Sequence, residues 1–330
     1  RAVGVAFAGL RASANIGYVI PGTVVHFFLR SVRGNPAGIF KGLCALGVRL
    51  QHTRSASLRW LHRLEPDAGD GVLVTEVEPL SPAAAAGIKA GDVLLDVDGV
   101  PVAEDASVPF RESERIGFDF LVTRKVAGET IRLKLLKALD DEDRGSGEGP
   151  VELEIRAGHV EKLVPRRAGM DAQPSYLVFG GLVFVRLTLP WLLARFQEVR
   201  KAPPELQAKL WEPKQNADEE VVVLAKVLAA EVNYGYEDFN CQQLLSVACF
   251  TEPTGATTEE PVQNLKQLHT FVNFVGMEGP GRPAFLRFAF SNNLQIVLDV
   301  AQCQTSHAEI LRQHGISQDC SQDLRAPSRL

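Results

Sequence analysis

The feature that most constrains the fold is the punctuation between residues 72 and 100. Two β-type runs, 72–77 and Val93-Leu94-Leu95-Asp96-Val97, flank the segment Ser81-Pro82-Ala83-Ala84-Ala85-Ala86-Gly87 and then Gly91-Asp92. That segment encodes a very short helix. Ser81 can cap it, Pro82 suits its first position, the alanines propagate it and Gly87 ends it. Asp98-Gly99 then predicts a tight hairpin turn, with Val100 beyond it. Strand, one-turn helix, strand and hairpin in so few residues predict a β-rich unit with short helices.

The rest of the chain uses the same alphabet. Residues 3–7 and 17–20 are β-type runs, and after Pro21 the spacing predicts a helix over 23–32 with Thr23 as its N-cap. Residues 1–33 cannot bury a core of their own. The chain opens at Arg1 on an apolar run, so this stretch is expected to be the end of a larger domain. Residues 34–157 form the clearest unit, with strands at 46–50, 72–77, 93–97, 130–136 and 151–155 and a helix over 113–124. The run DDEDRGSGEGP at 140–150 is a solvated loop, because its acids do not match the spacing of a twelve-residue calcium loop. Residues 158–330 predict strands at 177–187, 221–227 and 244–247 and a helix over 262–274. A hairpin follows, 284–290 with 295–300, turned by Asn292-Asn293, and then a helix over 306–314 ended by Gly315. Loops are expected at 200–219, 251–261 and 276–283. The fold class is mainly β with short helices (α+β).

Composition removes several function classes. The 330 residues exceed one ordinary domain. Lys+Arg 35 against Asp+Glu 40 leaves a net charge of −5, without the basic footprint of a nucleic-acid binder. Five cysteines, none in a C-x-x-C pair, indicate neither a disulfide framework nor a zinc module, and are expected to be buried free thiols. No metal and no cofactor is expected. Residues 176–193 are the most membrane-like stretch, yet they contain Gly180, Gly181, Arg186 and Pro190. A mid-segment Arg costs roughly 2.5–3.5 kcal/mol on insertion scales. No membrane span is predicted, and Leu182-Val183-Phe184-Val185 reads as a buried strand.

Several motifs fall in one order: Val74-Thr75-Glu76-Val77, Ser81-Pro82-Ala83-Ala84, Ala86-Gly87-Ile88, Gly91-Asp92-Val93-Leu94 and Val97-Asp98-Gly99. Together they resemble the PDZ domains of the Deg/HtrA serine proteases. The run Asn15-Ile16-Gly17-Tyr18-Val19-Ile20-Pro21 is similar to the last strand of that family's trypsin-like domain. Residues 108–116, 173–184 and 232–238 resemble stretches of its plant and algal members. The resemblance implies the end of a trypsin-like β-barrel at 1–33. A first PDZ domain would follow at 34–157 and a second, divergent one at 158–330, both partly open β-barrels. It implies a chloroplast location, in the stroma or on the stromal side of the thylakoid, with nucleus or mitochondrion as alternatives.

The resemblance also implies a site. The loop Ala45-Leu46-Gly47-Val48 would meet a peptide carboxylate with its N–H groups, and the strand from Val48 to Leu50 would pair with the peptide. Ile116 and Phe120, four apart on the predicted helix, would supply either an apolar pocket or core. Gly180-Gly181 is the nearest analogue of the carboxylate loop in the second unit. Tyr234-Gly235-Tyr236-Glu237-Asp238 is either a turn or a protein contact. Asn15, Ile16, Gly17 and Tyr18 would line the substrate cleft of a complete protease. The family's catalytic serine sits in a Gly-Asn-Ser-Gly-Gly context that is not found in these residues. No catalytic residue is assigned, so the chain is expected to bind peptides and not to cleave them. The expected partners are unfolded or damaged proteins and peptide C-termini, with a homo-oligomer in the full-length protein. A complete non-catalytic adaptor and an oligomerisation subunit are the alternative readings.

Overall fold

The computed structural model describes residues 3–9, 17–66, 68–138, 149–166, 173–252, 255–276 and 283–325. The expected acidic loop falls almost wholly outside them, as do Asn15, Ile16 and most of 276–283. The chain divides into two units, Arg1–Glu161 and Lys162–Leu330.

The first unit opens with β1 (Gly4–Gly9) and β2 (Gly17–Pro21), a two-stranded antiparallel sheet, followed by α1 (Gly22–Arg33). Extended Pro21, not Thr23, precedes the helix and no side chain caps it. Proline with its fixed φ suits a helix entry without a side-chain cap. Val3, Val5, Phe7, Tyr18, Val19 and Phe28 are exposed, as a hairpin too small to bury them requires.

The main sheet is built from β3 (Val48–Gln51), α2 (Ala56–Leu61), β4 (Val72–Val77), α3 (Pro82–Ala85), β5 (Val93–Val97) and β6 (Val100–Pro101). A separate hairpin, β7 (Ser107–Arg111) and β8 (Glu114–Gly117), leads to α4 (Asp119–Thr123). Then come β9 (Thr130–Leu136) and β10 (Val151–Arg156). The strands lie in the order β10-β9-β5-β4-β3, with β6 on β5, and every pairing is antiparallel. The core is Val72, Val74, Leu94, Val97, Val108, Ile131, Leu133 and Leu135. The local chemistry follows the sequence closely. Ser81 Oγ accepts the Ala84 N–H at 3.1 Å, and Asp98 (φ 54°) with Gly99 (φ 81°) forms the tight turn between β5 and β6.

The helix expected over 113–124 is wrong in its first half. Residues 114–117 are strand β8, because Val108 and Ile116 face each other across the hairpin. The helical spacing was an accident of a short β-run joined through Gly117 to a five-residue helix.

The second unit holds β11 (Tyr176–Phe179), β12 (Leu182–Arg186), α5 (Leu189–Phe196), α6 (Pro204–Lys209), β13 (Val222–Val227) and β14 (Gln242–Glu252). It continues with β15 (Gly255–Pro261), α7 (Leu265–Gly276), β16 (Phe285–Phe290), β17 (Gln295–Asp299), α8 (Val300–Gln313) and α9 (Gln322–Arg325). The order is β11-β12-β13-β14-β16-β17, with β15 on β14. Three expectations fail here. The strand expected over 177–187 is a hairpin, reversed at Gly180 (φ 53°) and Gly181 (φ 82°). The expected loop at 200–219 contains α6, whose Leu206 is fully buried, and the one at 251–261 contains β15. The last long helix begins at Val300, capped by Asp299, which accepts the Gln302 N–H at 2.9 Å.

Set aside β11, and the second sheet repeats the first. The order β12-β13-β14-β16-β17 corresponds to β3-β4-β5-β9-β10, with α7 in the place of α4. Both are open sheets. All five cysteines are free and buried. Among the described residues no helix is long and apolar enough to cross a membrane.

Candidate functional site

The segment before β3 has an unusual backbone. Gly47 has φ 79°, and a Cβ there would lie 2.2 Å from the Cβ of Ser81, so only glycine fits. The Leu46 carbonyl accepts the Ala83 N–H at 3.0 Å, and the Gly47 carbonyl accepts the Glu78 N–H at 2.8 Å. Ala45 donates to the Gly158 carbonyl at 3.0 Å. Both carbonyls are thus turned into the unit, while among the described residues no backbone or side-chain acceptor meets the N–H of Leu46 or Gly47. Successive free N–H groups at a positive-φ glycine are a cradle for an anion. A cavity of about 230 Å³ lies beside the segment, bordered by Lys41, Cys44, Lys125 and His159. Of its two lysines, Lys125 is already held by Asp98 at 2.6 Å.

β3 itself ends the sheet. It pairs with β4 on one side, and among the described residues no strand pairs with the other. Val48 and Leu50 sit half-buried on the rim of the core, with Ile116, Phe118 and Phe120 on the same rim. Ile116 belongs to β8 and Phe120 to α4, so they do not share a helix face, but both border one core with Val48 and Leu50. Gly17 and Tyr18 lie in β2, paired with Gly9 and Ala8, and Tyr18 is exposed.

The corresponding edge in the second unit is covered. β11 runs antiparallel to β12, with Leu177 opposite Phe184 and Phe179 opposite Leu182. Leu177 is buried in one core with Phe184, Leu265, Leu268 and Val272, so it fills the space between β12 and α7. The outer side of β11 is covered in turn. Val178 donates to the Asp319 carbonyl at 2.6 Å and Ser321 donates to the Tyr176 carbonyl at 3.0 Å. The Ser321 hydroxyl accepts the Tyr176 N–H at 3.1 Å.

Gly180-Gly181 is not a free cradle. Asn233 is fully buried and closes the turn: its Nδ2 donates to the carbonyls of Gly180 (2.9 Å) and Leu228 (2.8 Å), and its Oδ1 accepts the Ala230 N–H (2.9 Å). Sequence reasoning missed Asn233. The signal was there, a turn-forming Asn two residues before Gly235, but the Gly180 carbonyl it closes on lies 53 residues away. Tyr236 packs against Phe239, and its hydroxyl accepts the Val297 N–H at 3.3 Å, while Tyr234 points outward.

The segment over β11 carries a cluster of titratable groups. Cys320 Sγ lies 3.6 Å from His269 Nε2 and accepts from Arg325 Nε at 3.2 Å. Burial lowers the His269 pKa, Asp319 opposes that and Arg325 adds to it. Burial raises the Cys320 pKa, partly offset by Arg325, and pushes Cys303 up to about 12. Burial thus disfavours the thiolate, the form in which a cysteine is a nucleophile.

Models of the PDZ domain match residues 44–113 and 164–323. The chain is 33% identical over 327 residues to "Protease Do-like 2, chloroplastic" of Arabidopsis thaliana, covering 98% of this chain and 49% of that protein. It is 31% identical over 316 residues to "Protease Do-like 4, mitochondrial" of the same plant, covering 95% and 52%. The chain thus spans about half the length of the curated relatives it matches. Among solved structures, "HtrA-type protease AlgW with decapeptide" is 24% identical, with a TM-score of 0.30, over 47% of this chain and 41% of that one.

Proposed function

We propose, for a chain that carries two PDZ domains and is related along nearly its whole length to the Deg/Do-like proteases, that its first unit captures extended peptides by their C-termini. One observation carries the reading: the unpartnered N–H groups of Leu46 and Gly47 stand at the head of the free edge of β3. The terminal carboxylate accepts from those N–H groups. The peptide backbone extends the sheet as a strand antiparallel to β3, and alternate side chains face the rim formed by Val48, Leu50, Ile116 and Phe120. The glycine lets the cradle form before the ligand arrives, so little ordering entropy is spent on binding.

Within a whole Deg-type protease, such a groove would hand unfolded or damaged protein segments to a serine endopeptidase, with cleavage supplied by residues that this chain's motifs do not include. Assembly into homo-oligomers and a chloroplast setting belong to the same reading; the relatives' names, one chloroplastic and one mitochondrial, support an organelle.

The test is a titration of a fluorescent peptide, as free acid and as C-terminal amide. Charge-assisted hydrogen bonds contribute about 1.5–3 kcal/mol. The amide should therefore bind roughly tenfold to a hundredfold more weakly. Equal affinities would overturn the assignment of residues 45–48.

A further inference from the structure

The β7–β8 hairpin sets a second aromatic ring against Phe120, on the rim that Val48 and Leu50 share. Pro109 pairs with Arg115 and Arg111 with Glu114, which leaves Phe110 as a bulged residue. A bulge re-aims a side chain out of the alternation of its strand. Here the Phe110 ring meets the Phe120 ring edge-on, with centroids 5.3 Å apart, while remaining 41% exposed. The Arg111 guanidinium lies 5.0 Å from the centre of the Phe110 ring. The hairpin is anchored rather than loose. Val108 is fully buried, and Arg115 Nε donates to the Ser107 hydroxyl at 2.7 Å.

The hairpin also stands at the right end of the edge. Just beyond β3, Thr53 donates to the Glu104 carbonyl at 3.0 Å, and Arg54 lies 3.5 Å from Asp105. A peptide antiparallel to β3 with its carboxylate at Gly47 runs upstream toward these residues, which lead into β7. The second unit shows what chemistry such an edge takes. The strand on its equivalent edge reads Tyr176-Leu177-Val178-Phe179, with Leu177 buried and Phe179 6.1 Å from Phe288.

We infer that Phe110, edge-on to Phe120, is a specificity-determining residue of the first groove, and that it selects extended peptides carrying a large apolar side chain upstream of the last residue. The inference rests on the reading of β3 as the peptide edge. The selected side chain is the one opposite Leu50, third from the peptide end, together with the fifth.

The experiment uses the full chain and free-acid peptides that carry Phe or Ser at those two positions. Aromatic pairs contribute about 0.5–1.5 kcal/mol beyond burial. The Phe peptide should bind roughly three- to tenfold more tightly. Phe110→Ala should erase that preference and keep the acid-over-amide ratio, and Phe110→Tyr should keep both. An unchanged preference in Phe110→Ala, or no preference in the parent chain while the acid-over-amide ratio holds, overturns the inference alone. Binding that ignores the free carboxylate overturns the groove and the inference together. Phe110 is half-exposed, and an unchanged melting curve for each variant separates a lost preference from a lost fold.

Discussion

The two units solve one architectural problem in opposite ways. Each has five strands in the same order, and in each the strand at one end of that order follows a positive-φ glycine. The first leaves that edge open, with free N–H groups at its head. The second folds its own strand onto it, seats Leu177 in the space beneath α7 and covers the outside with residues 319–321. Four residues and a Gly-Gly turn convert a potential groove into closed core. A PDZ domain is therefore a statement about fold, and the availability of its groove is a separate, local property.

The largest expected effect tests the glycines. In Gly47→Val the new Cβ would collide with Ser81 at a φ of 79°, which branched residues avoid. Positive φ and overpacking together cost about 2–5 kcal/mol. Peptide binding should vanish in an anisotropy titration. Gly181→Val meets Asn233 Nδ2 at 2.3 Å and should destabilise the second unit similarly, yet leave peptide affinity untouched. Loss of binding in the Gly181 variant as well would erase the distinction between the two edges.

A smaller effect tests the closure itself. Asn233→Ala leaves three backbone groups without their partner, the buried carbonyls of Gly180 and Leu228 and the half-buried Ala230 N–H. Each such loss costs about 1–3 kcal/mol, offset in part by relaxation. The denaturation midpoint of the second unit should fall, and amide exchange at Val178 should accelerate, while that at Val74 stays unchanged. If loosening the turn frees the second edge, peptide stoichiometry rises from one toward two. Unchanged exchange at Val178 would mean that β11 is held by packing alone.

Much of this was legible in the residues. Ser81-Pro82 and Asp98-Gly99 act through their immediate neighbours, so a local reading finds them. Gly47 was picked out by resemblance; the Ser81 side chain that leaves no room for a Cβ there lies more than thirty residues on. What escaped was set by distant partners. The apolar run from 177 looked like one strand because Gly180 and Gly181 reveal a reversal only when Asn233, some fifty residues on, satisfies it. Ile116 looked helical because its spacing to Phe120 cannot reveal that Val108 pairs with it across a hairpin. The groove of the second unit could not be known to be filled, because an edge strand and the strand that covers it share the same apolar alphabet.

The smallest expected effect is a pH dependence confined to the closed edge. His269 faces Cys320, and Asn273 Nδ2 lies 2.9 Å from its Nε2. Asp319, Arg325 and His307 surround the same segment, with His307 3.7 Å from Asp319. Burial is the main cause that lowers the His269 pKa from its ordinary 6.5. The unfolded chain therefore takes up a proton at a pH where the folded one does not, and folding is favoured most above about 6.5. Stability should decline as the pH falls from there to the lowered folded value, and then level off. Asp319 is held below its ordinary range, so its own contribution persists through this window. Exchange protection at Val178, corrected for intrinsic rates, should fall as the pH drops below about 6.5, and His269→Gln should flatten it. The first unit also has a histidine lowered by burial, His62, but it ends α2 rather than touching an edge strand. His269→Gln should therefore leave the pH response at Val74 unchanged. A parallel loss of response at both amides would show that one global equilibrium governs both units, and that the second edge has no local opening of its own.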